Sequence, residues 1–170
     1  MNIRRANITD SEALVDLHHQ SWLSAYVNEA MGVTKEKIDA LYANHTERVQ
    51  RYQKLFSATA EEKTYPIWVA PLGERVVGFV APRKDESGRN RLGALYVHPD
   101  FFGKGIGSAL LEKVVEYYRG QTISLDVVTY NQRAKAFYEA KGFHYTGKHS
   151  TFSTTSGAIQ MPMEEMEMQA

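Results

Sequence analysis

The residues best placed to do chemistry lie in one stretch, LGALYVHPDFFGKGIGSALL, at positions 92–111. An apolar run leads through a proline-containing turn into three alternating glycines, Gly103, Gly105 and Gly107, and then into a helix-like pattern. Strand, loop and helix start in that order make an anion site. The first turn of a helix carries N–H groups with no intrahelical partner and a partial positive charge. Downstream, Asn131 can cap a helix that contains Ala134, Phe137 and Tyr138. The chain has no cysteine, which excludes disulfides, thiolate metal sites and a cysteine nucleophile. His18 and His19 do not read as a metal pair, because adjacent helical residues point apart.

Two nucleotide-binding loop types and a plain tight turn can be weighed for Gly103, Lys104, Gly105, Ile106, Gly107 and Ser108. A nucleotide-triphosphate loop ends in Gly-Lys followed by Ser or Thr, whereas Lys104 sits between the first two glycines. A dinucleotide fingerprint needs a sixth-place glycine, which is Ser108 here, and an acidic residue after the next strand; Asp126 lies inside that strand run. A plain tight turn would not require three alternating glycines, which cost conformational entropy without a local gain.

The elements that hold this loop change period twice. Residues 3–6 read as a short strand. Thr9 and Glu12 have capping-box spacing before a helix with Leu14, Leu17, Ser21 and Ala25 on one face, followed by Trp22 and Tyr26. Gly32 marks a break, Thr34 caps a second helix, and Val49, Tyr52 and Phe56 mark a third. Residues 66–70 and 76–81 are β-rich runs joined by a turn at 71–74, and a charged loop at 84–91 precedes the strand at 92–97. Together they predict an antiparallel meander. Leu111, Val114, Val115 and Tyr118 then form a helix face ended by Gly120, residues 122–129 a strand, and Asn131 to Gly142 a capped helix. Such a crossover requires the strands flanking the glycine helix to be parallel. β character returns at 143–145, around Phe152 and at 159–168. The reading is one α/β domain over 1–170.

Composition narrows the partners. Lys plus Arg and Asp plus Glu number 20 each, so the net charge is zero and no nucleic-acid or membrane partner is expected. The two N-terminal arginines have no apolar run behind them, and no run approaches the roughly 18 residues of a membrane span, so a cytoplasmic location is expected. Met161, Met163, Met166 and Met168 are expected to pack a late strand or a homodimer contact rather than to bind metal.

The string LYVHPDFFGKGIGSALL, with Asn131, Ala134, Phe137, Tyr138, Gly142 and Phe143 behind it, resembles the two signatures of the GNAT superfamily of N-acetyltransferases. Phe102 stands where that family usually has Gln or Arg. The order of elements matches along the whole chain. The resemblance implies a GNAT fold: a central mixed, mostly antiparallel sheet flanked by helices, its strands splayed around an acyl-CoA site. It implies that the backbone of Leu95, Tyr96 and Val97 pairs with the pantetheine arm. The N–H groups from Gly103 to Ser108 would cradle the pyrophosphate, with Phe102 beside them and Asn131 and Tyr138 near the cofactor. A Cβ at Gly105 or Gly107 is expected to hold the phosphate oxygens off.

The chemistry so implied is direct attack of a primary amine on acetyl-CoA, without a metal. The Val97 N–H would stabilise the oxyanion and Tyr138 would act as general acid. Trp22 and Tyr26 would line the pocket for a small-molecule or peptide amine. The strand at 91–95 lacks the Glu that many members carry, leaving His18, His98 and Tyr26 as candidate bases. The alternative is a GNAT-fold module that senses acyl-CoA with little transfer.

Overall fold

The structure is a computed structural model that describes residues 2–59 and 65–170. The helical first third starts two residues earlier than Thr9 predicts. Asn7 accepts from the Thr9 N–H at 2.9 Å while the Asp10 carboxylate accepts the Asn7 N–H at 2.8 Å. This capping box forms because Arg4, in the two-residue strand β1 (Arg4–Arg5), holds both Asp10 oxygens at 2.8 Å. A 3₁₀ turn at Ile8–Asp10 runs into α1 (Ser11–Tyr26), with Leu14, Val15, Leu17 and Trp22 buried. Thr34 caps α2 (Lys35–Tyr42), as expected, and α3 is His45–Thr59.

The sheet has seven strands in the order β1-β2-β3-β4-β5-β7-β6. β2 (Trp68–Leu72) and β3 (Arg75–Lys84) pair antiparallel, so the hairpin turn is only Gly73 and Glu74, tighter than the four residues predicted. β4 (Asn90–Val97) starts earlier than expected because Asp85 folds the preceding loop onto itself, accepting from the N–H groups of Ser87 and Arg89 at 3.0 Å. α4 (Ile106–Tyr117) crosses to β5 (Thr122–Val128), and α5 (Gln132–Ala140) leads to β6 (His144–Ser153) and β7 (Gln160–Gln169). β4 and β5 are parallel, as the crossover requires, while every other neighbouring pair is antiparallel.

Two features open the sheet at the right place. β4 and β5 share one registered pair, Arg91 with Ser124, before they part. Just beyond it Ala81 faces Ala94 and Pro82 faces Leu92, which leaves Gly93 as an extra residue that re-aims β4. An ion network, buried at Arg91, Ser124 and Glu165, closes the lower end of the split. Arg91 reaches from β4 to Ser124 Oγ at 3.0 Å and to Asp126 on β5, and to Glu165 Oε2 on β7 at 2.7 Å. Burial alone would raise Glu165, but donors from Arg91 and Lys148, the Arg89 charge and Thr146 outweigh it and hold the carboxyl at about 2.

One apolar cluster joins α4 and α5 to β5 and includes Leu110, Val114, Ile123, Leu125 and Met166. A second lies against α1 and α2 and includes Trp22, Ile38, Val128 and Met161. Met163 and Met168 pack on these same clusters, so the tail methionines serve the fold of their own chain, as a late strand would use them.

Candidate active site

A cleft of about 450 Å³ opens where β4 and β5 part. Leu95, Tyr96, Val97, Phe102, Gly103, Gly105, Ile106, Gly107, Ser108, Asn131, Tyr138 and Tyr26 all line it. Of the residues predicted for the site, Lys104 and Trp22 do not. The Lys104 ammonium sits 4.6 Å over the Phe101 ring. Trp22 is buried and turned inward, donating its indole N–H to His18 Nε2 at 2.8 Å and to the Tyr96 hydroxyl at 3.2 Å.

Strand alternation decides what β4 offers. The His98 N–H donates to the Val77 carbonyl on the β3 side at 2.9 Å, with Val97 opposite Gly78. Backbone groups alternate along an antiparallel ladder, so those of Tyr96 also face β3, while those of Leu95 and Val97 face the gap left by β5. Tyr96 therefore contributes its side chain to the cleft, and Leu95 and Val97 contribute main-chain donors and acceptors.

At the other wall, Gly103 and Gly105 have φ of 74° and 76°, a left-handed conformation that favours glycine. Gly105 is the N-cap of α4, no side chain caps that helix among the described residues, and its first turn has no acid. The N–H groups of Ile106, Gly107 and Ser108 are thus left for an anion. Gly107 differs from the expectation. A Cβ there would meet the Phe137 ring at 3.5 Å and Val97 Cγ2 at 3.7 Å, ordinary contacts that point between elements rather than toward a phosphate.

From α5, Asn131 accepts the Ala134 N–H at 3.2 Å and so serves as helix cap while lining the cleft. The Tyr138 ring packs edge-on against Phe137 and Phe143. Burial first, then Tyr96, pushes its phenol well above the ordinary value, so it stays protonated near neutral pH. Burial and the Tyr96 hydroxyl do the same to Tyr26, which removes it as a base. Burial, with the Arg48 charge and His19, lowers His18 to about 4, and its Nε2 is already engaged by Trp22. His98 caps a 3₁₀ turn through its Nδ1 and does not line the cleft.

The structure also brings in three residues that sequence reasoning did not assign. Asp126 is the carboxylate lining the cleft among the described residues; Arg91 holds its Oδ2, and no partner of Oδ1 is seen there. A lone acid in the apolar run TISLDVVT was the available signal. Arg133 lines the mouth, its guanidinium 3.8 Å above the Phe102 ring. Ser21 is buried on α1 with no partner for its hydroxyl among the described residues, and it lines the cleft. A buried hydroxyl left unpaired costs about 1–3 kcal/mol, which a bound molecule can recover. Open N–H groups at one end and an unpaired hydroxyl at the other fit an anion-tailed ligand with a polar head.

No group of three His, Cys, Asp or Glu among the described residues could hold a metal, and no helix there is long and apolar enough to cross a membrane. Comparison with known proteins agrees with the geometry. A probable N-acetyltransferase of Mycobacterium tuberculosis is 25% identical over 92% of this chain and 87% of its own length. The N-alpha-acetyltransferase RimI of the same organism is 37% identical over 36% of this chain and 39% of its own length. The PaiA N-acetyltransferase of Thermoplasma acidophilum, solved with coenzyme A, superposes with a TM-score of 0.74 at 21% identity, covering 99% of this chain and 98% of that one. The model of the acetyltransferase (GNAT) family matches residues 19–143, and the chain belongs to that family.

Proposed function

We propose that this acetyl-CoA-dependent N-acetyltransferase acetylates a primary amine by direct attack, with the acceptor and acetyl-CoA in the cleft together. The supporting observation is that the uncapped first turn of α4, Val97, Tyr138 and Asp126 all line one cavity.

In this reading the N–H groups of Ile106, Gly107 and Ser108 bind the pyrophosphate, and Leu95 and Val97 orient the pantetheine arm. The Val97 N–H meets the carbonyl oxygen as it gains charge. Tyr138 faces the departing sulfur. A phenol at or above 10 giving a proton to a thiolate near 8.5 works uphill by about 2 kcal/mol or more in water. Tyr138 thus acts chiefly by hydrogen-bonding the developing thiolate, whose own basicity rises in the same low-dielectric site.

Asp126 takes the proton that the attacking amine must lose, and the unpaired Ser21 hydroxyl contacts the acceptor. The demand on the base depends on the acceptor. At pH 7 a lysine-like amine near 10.4 costs about 4.6 kcal/mol to deprotonate, and an α-amine near 8 about 1.4 kcal/mol. The overlap with an N-alpha-acetyltransferase supports the α-amine as the first acceptor to try.

The test is release of CoA thiol over a panel of peptide α-amines, lysine peptides and polyamines. Turnover on at least one amine, lost in Tyr138→Phe, is expected. Binding of acetyl-CoA without turnover on any amine would instead favour the sensor reading.

A further inference from the structure

Phe102 and Arg133 come from different elements, one from the glycine loop and one from the first turn of α5, and they meet at the mouth of the cleft. The guanidinium carbon lies 3.8 Å from the ring centroid, which is a face-on stack. Arg133 is exposed and has no ion pair or hydrogen bond among the described residues. Stacking uses the flat face of the guanidinium and leaves the N–H groups along its edge free, the arrangement in which arginine grips a phosphate with two parallel bonds.

The other cations near the loop are turned elsewhere. Lys104 and Arg75 both lie over Phe101, at 4.6 Å and 5.9 Å, and neither lines the cleft. Among the described residues, Arg133 is the one cation that does. The α4 N-terminus supplies only partial charge, so a ligand carrying several phosphate charges meets its single full positive charge here.

We propose that Phe102 is a platform that presents Arg133 to a phosphate of acyl-CoA, so that the aromatic residue and the arginine act as one phosphate-binding unit. Phe102 positions the guanidinium, and Arg133 makes the contact. The inference rests on the acyl-CoA assignment of the cleft and adds a binding role for two side chains. It also gives the ring at position 102 a use: a polar side chain there would contact a ligand itself, whereas this ring does so through its partner.

Calorimetry with CoA and with dephospho-CoA, which lacks the 3′-phosphate, tests it at low and moderate salt. Arg133→Gln is expected to weaken CoA binding by about tenfold or more and to flatten the salt dependence, because one screened charge is lost. Arg133→Lys should fall between, keeping the charge without the stacked fork. Phe102→Leu should weaken binding in the wild-type background and add nothing to Arg133→Gln, since the ring acts through the arginine.

A loss confined to CoA assigns the fork to the 3′-phosphate, and an equal loss for both ligands assigns it to the pyrophosphate; either supports the unit. Thermal midpoints should shift by no more than about 4 °C, because Arg133 is exposed and its stack on Phe102 is worth at most about 1 kcal/mol. Wild-type affinity and salt slope in Arg133→Gln would overturn the proposal while leaving the family assignment intact, as would additive losses in the double variant. A wild-type chain that binds neither ligand would overturn both readings.

Discussion

Two glycines two residues apart should respond oppositely to alanine. At Gly105, with φ of 76°, a Cβ would find nothing within 4 Å, so the cost of Gly105→Ala is backbone strain and not collision. Holding an L-residue in the left-handed region costs about 1–2 kcal/mol. For a chain of this size that lowers the thermal midpoint by about 2–8 °C. Relaxing the strain instead would rotate the first N–H groups of α4 out of the cradle. Each charge-assisted bond so lost is worth about 1.5–3 kcal/mol, a loss of roughly tenfold to a hundredfold in CoA affinity.

Gly107 sits inside the helix, and its Cβ would rest against Phe137 and Val97 at ordinary distances. There alanine should gain about 0.5–1 kcal/mol from helix propensity and leave CoA affinity within about threefold. Scanning calorimetry and titration with CoA read both quantities on the same samples. Equal effects at the two positions, or a Gly105→Ala variant with wild-type midpoint and affinity, would refute the cradle geometry.

Other perturbations separate the roles. Tyr138→Phe should lower kcat by about 10²–10³, the cost of one lost donor to developing charge, while CoA affinity holds; a parallel loss of binding would mark Tyr138 as packing alone. Asp126→Asn should cost lysine-type acceptors far more than α-amines at pH 7 and recover part of its activity as pH rises, and a uniform loss across acceptors would remove it as the base. His18, lowered to about 4 in the fold against 6.5 unfolded, binds its proton more readily in the unfolded chain. Its contribution is therefore complete above pH 6.5 and lost as pH falls toward 4, by at most about 3 kcal/mol. His18→Gln, which keeps an acceptor for the Trp22 indole, should flatten that slope in denaturant titrations across the same window. A slope unchanged by the substitution would contradict the buried neutral imidazole.

Much of the frame was legible in the chain because it depends on local rules. Glycines with positive φ, Thr34 and Asn131 as caps, and the helix faces of α4 and α5 are decided within a few residues. The parallel pairing of β4 and β5 follows from the handedness and length of a crossover. Local rules also misled. Thr9 is as good a cap as Asn7 by type, and the choice fell to Arg4, which holds Asp10 from the neighbouring strand.

What the tertiary structure alone decided are meetings between distant elements. The β4 bulge at Gly93 depends on register with β3, and with it the gap that exposes the Val97 backbone. Trp22 carries no local sign that His18 and Tyr96 will claim its N–H and turn it from the cleft. Asp126 lines the cleft while Arg91, itself anchored by Glu165 on the last strand, holds one of its oxygens. Arg133 carries no local sign in the sequence that folding will lay it on Phe102. A sequence states which groups a chain owns and which bends its backbone can make. Only the packed sheet sets which of those groups share one cavity, because each such contact joins residues far apart in the chain.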